Sequence, residues 1–481
     1  MKRTMSIKMK LWALVAILFT FQSCKTESAE TSSNETEVSN EENPMENVEQ
    51  NIDWVRNAVI YEVNTRQYTP EGTFAAFEKK LPQLKELGVD ILWFMPIHPI
   101  GLKNRKETEE SLGSYYSVRD YKAVNPDLGT VEEFKSLVAT CHEMGFKVVL
   151  DWVANHTAPD HAWVEEHPEF YTRDAKGNYP VPPEGTDWWD VADLDYSNQE
   201  MRNEMISALK YWVDECDIDG YRCDMAGMVP LDFWLQARPQ IEENKKLFML
   251  AEWQDARFYE AFDFIYGWPL KNVFVELTEG ESNVESLVKM SCEDNARWLL
   301  HDLDFDTWGP YNLSMNFVTN HDENSWEGTA IERWGSANKA FATLTFLAPG
   351  LPLIYSGQEV GNNKRLLFFE KDLFDWSDND GYFDFYKDLV KMKHENTALA
   401  VGTNGGSFES FKIENEHVYA FFREGSDDAL IAFFNMSNDA QTFALPEFGH
   451  LNNFEMNAGD ELTLEAWEYK VETIKTMPDD K

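Results

Sequence analysis

The stretch Asp219-Gly220-Tyr221-Arg222-Cys223-Asp224 reads as a short buried strand that carries an arginine and then a carboxylate out at its end. Side chains two apart on a strand point to the same face. The guanidinium of Arg222 is therefore placed to orient the Asp224 carboxylate and to hold it ionised. That is the requirement for a carboxylate nucleophile. An Arg and an Asp this close are also the makings of a plain structural ion pair, so the neighbouring pattern has to decide between the two.

Working outward, one phrase repeats along the chain. Phe74, Phe77, Leu81, Leu84 and Leu87 recur at helical spacing, Gly88 stops them, and the apolar run Ile91 to Met95 follows. Val131, Phe134, Val138, Cys141 and Met144 repeat the stripe, Gly145 ends it, and Val148-Val149-Leu150 leads into Asp151. Met201, Met205, Leu209, Trp212 and Cys216 form a third, which runs into the opening stretch. Strands apolar throughout that alternate with amphipathic helices predict a parallel sheet covered on both faces. Each strand carries its polar residues at its C-terminal end, where such folds build their sites.

Spacing selects a closed barrel. A (β/α)8 barrel uses about 30 residues per unit. Asp224 to Glu252, at the end of Leu247 to Ala251, is one unit; Glu252 to Asp322 is two, with the strand Ala261 to Tyr266 between them. Asp151 to Asp224 is one unit plus an excess between His156 and Ser197, rich in Pro, Gly, Asp and Trp and without helical period. This excess predicts a small subdomain. Val59 to Val63 and Leu351 to Tyr355 supply the first and eighth strands. After Ala400, short runs at 418–422, 429–434, 442–445 and 467–471, separated by Gly, Asn and Asp, predict an antiparallel β-sandwich.

The N-terminal region carries different signals. Lys2, Arg3, Lys8 and Lys10 precede the apolar run Leu11 to Phe21, which is too short to span a bilayer as a mature helix. Phe21-Gln22-Ser23-Cys24 resembles a bacterial lipoprotein cleavage site, which implies a lipid on Cys24 and export to the periplasm or outer cell surface. Residues 25–50 are Ser, Thr, Glu and Asn with almost nothing apolar, a composition that stays unfolded. The expected organisation is a leader at 1–23, a tether at 24–50, a barrel at 51–398 with a subdomain at 157–197, and a sandwich at 399–481. A net charge of −43 repels phosphate backbones and argues against nucleic acid as a partner. Five Cys fall in neither a disulfide nor a zinc spacing.

From about Asp53 onward the chain resembles the α-amylase family of glycoside hydrolases, known also as family 13. The resemblance rests on Asp151-Trp152-Val153-Ala154-Asn155-His156, on Asp219 to Ala226, on Glu252, and on Phe317-Val318-Thr319-Asn320-His321-Asp322. Tyr116 to Tyr121 and Gly350 to Glu359 add to it. It implies a retaining reaction on α-glucans or malto-oligosaccharides, with Asp224 as nucleophile and Glu252 as acid and base. By the same resemblance Asp322, His156 and His321 bind sugar hydroxyls, Tyr116 stacks beneath the ring, and Asp151 braces Arg222. The residues themselves predict that Arg222 lowers the pKa of Asp224, while an apolar strand and nearby carboxylates keep that of Glu252 up.

Departures narrow the resemblance. The family's Lys-His pair after the nucleophile is replaced here by Gly227 and Met228. Asn155 and Asp193 match two calcium ligands of the family, so the resemblance implies calcium with one ligand lost. Trp188 and Trp189, in the inserted segment, are candidates to line the donor end of the cleft, with core packing as the alternative. The same residues serve an exo-acting α-glucosidase or a transglycosylase, and a non-catalytic glucan-binding protein would be expected to lack one of the three carboxylates.

Overall fold

The computed structural model describes residues 53–106, 110–291, 313–377, 379–402 and 405–476. The leader, Cys24 and the acidic tether lie outside the described residues.

Eight parallel strands close into a barrel. They are β1 (Ile60–Val63), β2 (Ile91–Phe94), β3 (Lys147–Val153), β4 (Gly220–Asp224), β5 (Phe248–Ala251), β6 (Phe264–Tyr266), β7 (Ser314–Asn316) and β8 (Leu351–Tyr355). Each pairs with its neighbours in sequence, and β1 closes on β8. All but one of the β3 residues and all of β4 and β5 are buried, because helices cover the outside while side chains fill the lumen. The helix Val131–Glu143 starts on a capping box made by Thr130 and Glu133 and buries Phe134, Leu137, Val138 and Cys141. Gln199–Cys216 is capped by Asn198, whose side chain accepts from the backbone N–H of Glu200 and Met201, and it buries Met201, Met205, Leu209, Trp212 and Cys216.

Two elements differ from the sequence expectation. The sixth strand takes only Phe264 to Tyr266 of the predicted 261–266, because the Asp263 carboxylate accepts the Met249 N–H at 2.8 Å and pairs with Arg238 at 2.6 Å. The Asp263 N–H still donates to Met249 C=O at 2.9 Å, but its carboxylate takes the Met249 N–H. Between β3 and β4 the inserted segment contains a helix, Ala162–Glu166, started by His161, whose ring accepts from Trp163 N–H at 3.1 Å. A two-residue ladder of His156–Thr157 with Ala192–Asp193 anchors this segment to the barrel rim.

Behind the barrel lies an antiparallel sheet of β9 (Glu409–Ser410), β10 (Val418–Glu424), β11 (Asp428–Asn435) and β14 (Tyr469–Lys475). A two-stranded sheet, β12 (Gln441–Ala444) with β13 (Glu461–Leu464), faces it. Val418, Ala420, Phe422, Ile431 and Phe433 pack toward the smaller sheet, while Tyr419, Phe421, Leu430, Ala432 and Phe434 join the barrel core. Alternation thus commits both faces of β10 and β11 to apolar contacts.

Candidate active site

Strand register builds the site. In the β3–β4 pairing Asp151 lies opposite Arg222 and Val153 opposite Asp224. Cys223 pairs with Ala251 on β5, and Glu252 N–H donates to Cys223 C=O at 3.0 Å, so Glu252 emerges beside Asp224. Parallel strands in register bring their C-terminal carboxylates to one level at the barrel mouth.

Arg222 is fully buried and serves three acids. Its Nη1 donates to Asp151 Oδ1 at 2.9 Å and to Asp224 Oδ1 at 3.2 Å; its Nη2 lies 2.9 Å from Glu252 Oε1 as an ion pair without hydrogen-bond alignment. Nε donates to the Tyr266 hydroxyl at 2.9 Å. Asp151 is held in turn by Trp93 Nε1 at 3.2 Å and by the Tyr116 hydroxyl at 3.1 Å. Glu252 Oε2 accepts the Met225 N–H at 2.8 Å, and Met225 adopts a left-handed conformation with φ 42° to offer it. A non-glycine residue in that region is strained, and the strain falls on the residue that links the two carboxylates.

The expected pKa of Asp224 needs correction. Burial pushes it well above the usual carboxylate range, Glu252 adds to the rise, and the pull of Arg222 does not offset them. Burial likewise pushes Asp151 up to about 6. At the facing rim, burial opposes a charge on His321, but Asp322 and Glu62 outweigh it and raise the imidazole well above its ordinary value. Its Nδ1 lies 2.5 Å from Glu62 Oε1, and its Nε2 lies 2.7 Å from the Tyr116 hydroxyl and 3.3 Å from Asp322 Oδ2. Five carboxyl groups, Glu62, Asp151, Asp224, Glu252 and Asp322, thus surround two cations, Arg222 and His321. Burial favours a proton in this cluster, on Asp151 or Asp224, beside carboxylates that Arg222 and His321 hold charged. A proton and a free carboxylate are what acid-assisted nucleophilic attack consumes.

The remaining expected residues fall around this cluster. Tyr116 is stacked on His321 with ring centroids 5.4 Å apart and lies nearly parallel to Phe368 at 6.4 Å. His156 is buried and pushed down to about 4 by burial, so its neutral ring carries a single N–H donor; Trp188 meets it edge-on at 5.9 Å. Trp189 is 65% exposed, with its carbonyl accepting from Asn104 at 2.9 Å. Glu62 is the member of the cluster that sequence reading missed; an acid within the otherwise apolar β1 was the available signal.

Asn155 and Asp193 do meet, but as hydrogen-bond partners, with the Asn155 amide 3.5 Å from Asp193 Oδ1 and Thr172 donating to Asp193 Oδ2 at 2.8 Å. Calcium takes six to eight oxygens. One amide and one carboxylate do not fit it, and among the described residues no group of three His, Cys, Asp or Glu side chains is arranged to hold a metal ion. Gly227 contributes nothing, because a Cβ there would lie 2.0 Å from the Trp253 indole.

Behind the site, Glu359 is buried against the Tyr61 hydroxyl at 2.6 Å, its Oε2 is without a partner, and burial raises its pKa to about 7. A carboxyl whose folded pKa is raised stabilises fully below its unfolded pKa and loses that contribution as pH climbs through the folded value. Glu359→Gln should therefore gain on the wild type between pH 5 and 8, by up to about 3 kcal/mol at the alkaline end. Thermal melts across that range check it. An offset that does not change with pH would contradict the reading.

Comparison with known proteins agrees with this architecture. The profile of the α-amylase catalytic domain matches residues 28–397. The chain is 26% identical over 412 residues to α-amylase MalA of Haloarcula japonica, covering 82% of this chain and spanning 57% of that relative's length. The crystal structure of an α-amylase from Lactobacillus plantarum superposes with a TM-score of 0.73 at 30% identity, covering 87% of this chain and 99% of that one. A noncanonic maltogenic α-amylase, AmyB of Thermotoga neapolitana, gives 0.70 at 28% identity, covering 87% and 96%. With the barrel, the strand-end carboxylates and a profile match over most of its length, the chain belongs to the α-amylase family.

Proposed function

We propose that this protein is a retaining glycoside hydrolase that cleaves α-glucosidic bonds, of the α-1,4 type, in starch-like glucans or malto-oligosaccharides. The observation that carries this reading is the bridging of Asp224 and Glu252 by one guanidinium, at 3.2 and 2.9 Å. Two carboxylates on one guanidinium fork sit close together, as suits retention with its separation of about 5–5.5 Å. Glu252 protonates the glycosidic oxygen while Asp224 attacks the anomeric carbon and the bond to the leaving chain breaks. Glu252 then takes a proton from water, whose oxygen displaces Asp224. Asp322, with a side chain 40% exposed, binds hydroxyls most tightly as the ring flattens, which places its gain in the transition state. Both His321 nitrogens have protein partners, so its share is to orient Asp322 and Tyr116. The His156 ring is likewise bonded to the Tyr116 backbone, with the Asn155 amide 3.4 Å from its Nδ1, so it helps to fix Tyr116 beside the sugar.

Products from soluble starch, pullulan and maltoheptaose test the reading. Mixed maltodextrins from starch are expected. Failure of the wild type to turn over any α-glucoside, with glucan binding retained, would remove the hydrolase assignment.

Transfer to a sugar acceptor is the second reading, favoured by Trp253. This half-buried indole follows Glu252 and lies against Gly227 where a polar pair would otherwise stand, an apolar surface on the leaving-group side that retains a sugar better than water. Oligomers longer than the supplied maltotriose would establish it.

The basic and apolar leader and Cys24 support a further part of this reading, that the enzyme is exported and held outside the cytoplasm on a lipid anchor. Cys24→Ala should leave the protein in the soluble fraction after membrane sedimentation with its specific activity unchanged. An equal membrane share in both forms would rule the anchor out.

A further inference from the structure

Immediately after Asp322 the chain makes a π-helical turn, Glu323–Glu327, closed by Gly328 N–H to Glu323 C=O at 2.9 Å. Single π-turns collect at functional sites, because the widened turn redirects a side chain that an α-helix would point elsewhere. Here the redirected side chain is Trp326. Its indole N–H is hydrogen-bonded to the Asp322 side chain, yet the residue is 53% exposed. Leaving so much aromatic surface in water is costly unless something covers it.

The indole is not loose. It leans on Phe368, with centroids 5.3 Å apart, and on Phe369 at 5.9 Å. Phe368 in turn runs nearly parallel to Tyr116, at 15°. The segment bearing these rings is tied to the barrel rim. Arg66 Nη2 donates to Phe368 C=O at 2.5 Å, and Gln67 Nε2 donates to Leu367 C=O at 3.1 Å and Glu370 C=O at 2.8 Å. A fixed aromatic row therefore leads from Tyr116 in the catalytic cluster out to Trp326 at the rim.

A glucopyranose ring presents an apolar face of C–H groups and an equatorial belt of hydroxyls. A rigid ring beside a carboxylate matches both surfaces. We propose that Trp326 is a positioning and specificity residue: its indole N–H aims the Asp322 carboxylate, and its exposed face supports the glucosyl unit adjoining the one under attack. This rests on the α-glucan reading for the identity of the sugar, but not for the link between indole and carboxylate.

Two variants separate the roles. Trp326→Phe keeps an aromatic face and loses the N–H; with maltoheptaose, kcat should fall about tenfold while KM stays within twofold, since Asp322 acts in the transition state. Trp326→Ala loses both, and KM should also rise about tenfold. Wild-type kcat in the Phe variant, or no rise of KM in the Ala variant beyond that of Phe, would overturn the proposal. A readout that needs no turnover is the indole N–H resonance of Trp326, identified by its loss in Trp326→Phe. It should shift when Asp322→Asn is introduced, and an unmoved resonance would also overturn the proposal. A wild type inactive on every α-glucan but with a shifted resonance would sink the substrate reading and the sugar platform together, leaving the indole–carboxylate link standing.

Discussion

Asp224→Asn should lose turnover of maltoheptaose by about 10⁵-fold and melt no lower than the wild type at pH 7. The loss is of the size seen when a covalent nucleophile is removed, because an amide oxygen does not form the glycosyl ester and only binding and acid assistance remain. The melting behaviour follows from the electrostatics. Burial and Glu252 hold the Asp224 pKa up, so the wild type gains stability from this group in acid and gives it up as pH rises through the folded pKa. Asn keeps an acceptor for Arg222 Nη1, which lies 3.2 Å away, and removes a charge from a crowded cluster. Steady-state kinetics with a matched thermal melt check both halves. Activity within a hundredfold of the wild type would move the nucleophile to another carboxylate.

Much of this site was legible because its determinants are periodic. Arg222 and Asp224 share a strand face by spacing alone, and strand-end acids one or two barrel units apart place Glu252 and Asp322 at the same mouth. What spacing does not contain is the sharing of Arg222 among three acids. Burial first, and the Glu252 charge next, turn the expected lowering of the Asp224 pKa into a rise that the shared Arg222 does not offset. All of these depend on packing between β3, β4 and β5. Glu62 escaped for a similar reason: its partner His321 is far away in sequence, and only barrel closure brings them together. The calcium pair was inferred from positions, whereas ligation depends on which way an amide and a carboxylate face. Trp326 was hidden because the π-turn that redirects it has no periodicity to read.

Arg222→Met carries the second large effect, and it reaches stability as well as rate. The guanidinium is the fully buried cation beside Asp151, Asp224 and Glu252, and the Tyr266 hydroxyl completes its bonding. Removing one partner of a buried ion pair costs about 3–5 kcal/mol, because the charges left behind have neither water nor counter-ion. For a folded chain of more than 400 residues that is a fall in Tm of about 3–6 °C. The sign with pH separates this from a simple packing loss. In the variant Asp151 and Asp224, already pushed up by burial, lose the Arg222 charge that pulls them down. Toward pH 5 they therefore take up protons and the cost shrinks, while at pH 8 more of their charge stands uncompensated. The gap in Tm between wild type and variant should therefore widen from pH 5 to pH 8. Arg222→Lys should close only part of it, since one ammonium does not span carboxylates on both ends of the fork. Turnover should fall about 10³-fold or more in both variants, because Asp224 and Glu252 are no longer tied to a common donor. A gap equal at the two pH values would mean that Arg222 acts by shape, and the account of one guanidinium shared among three acids would lose its anchor.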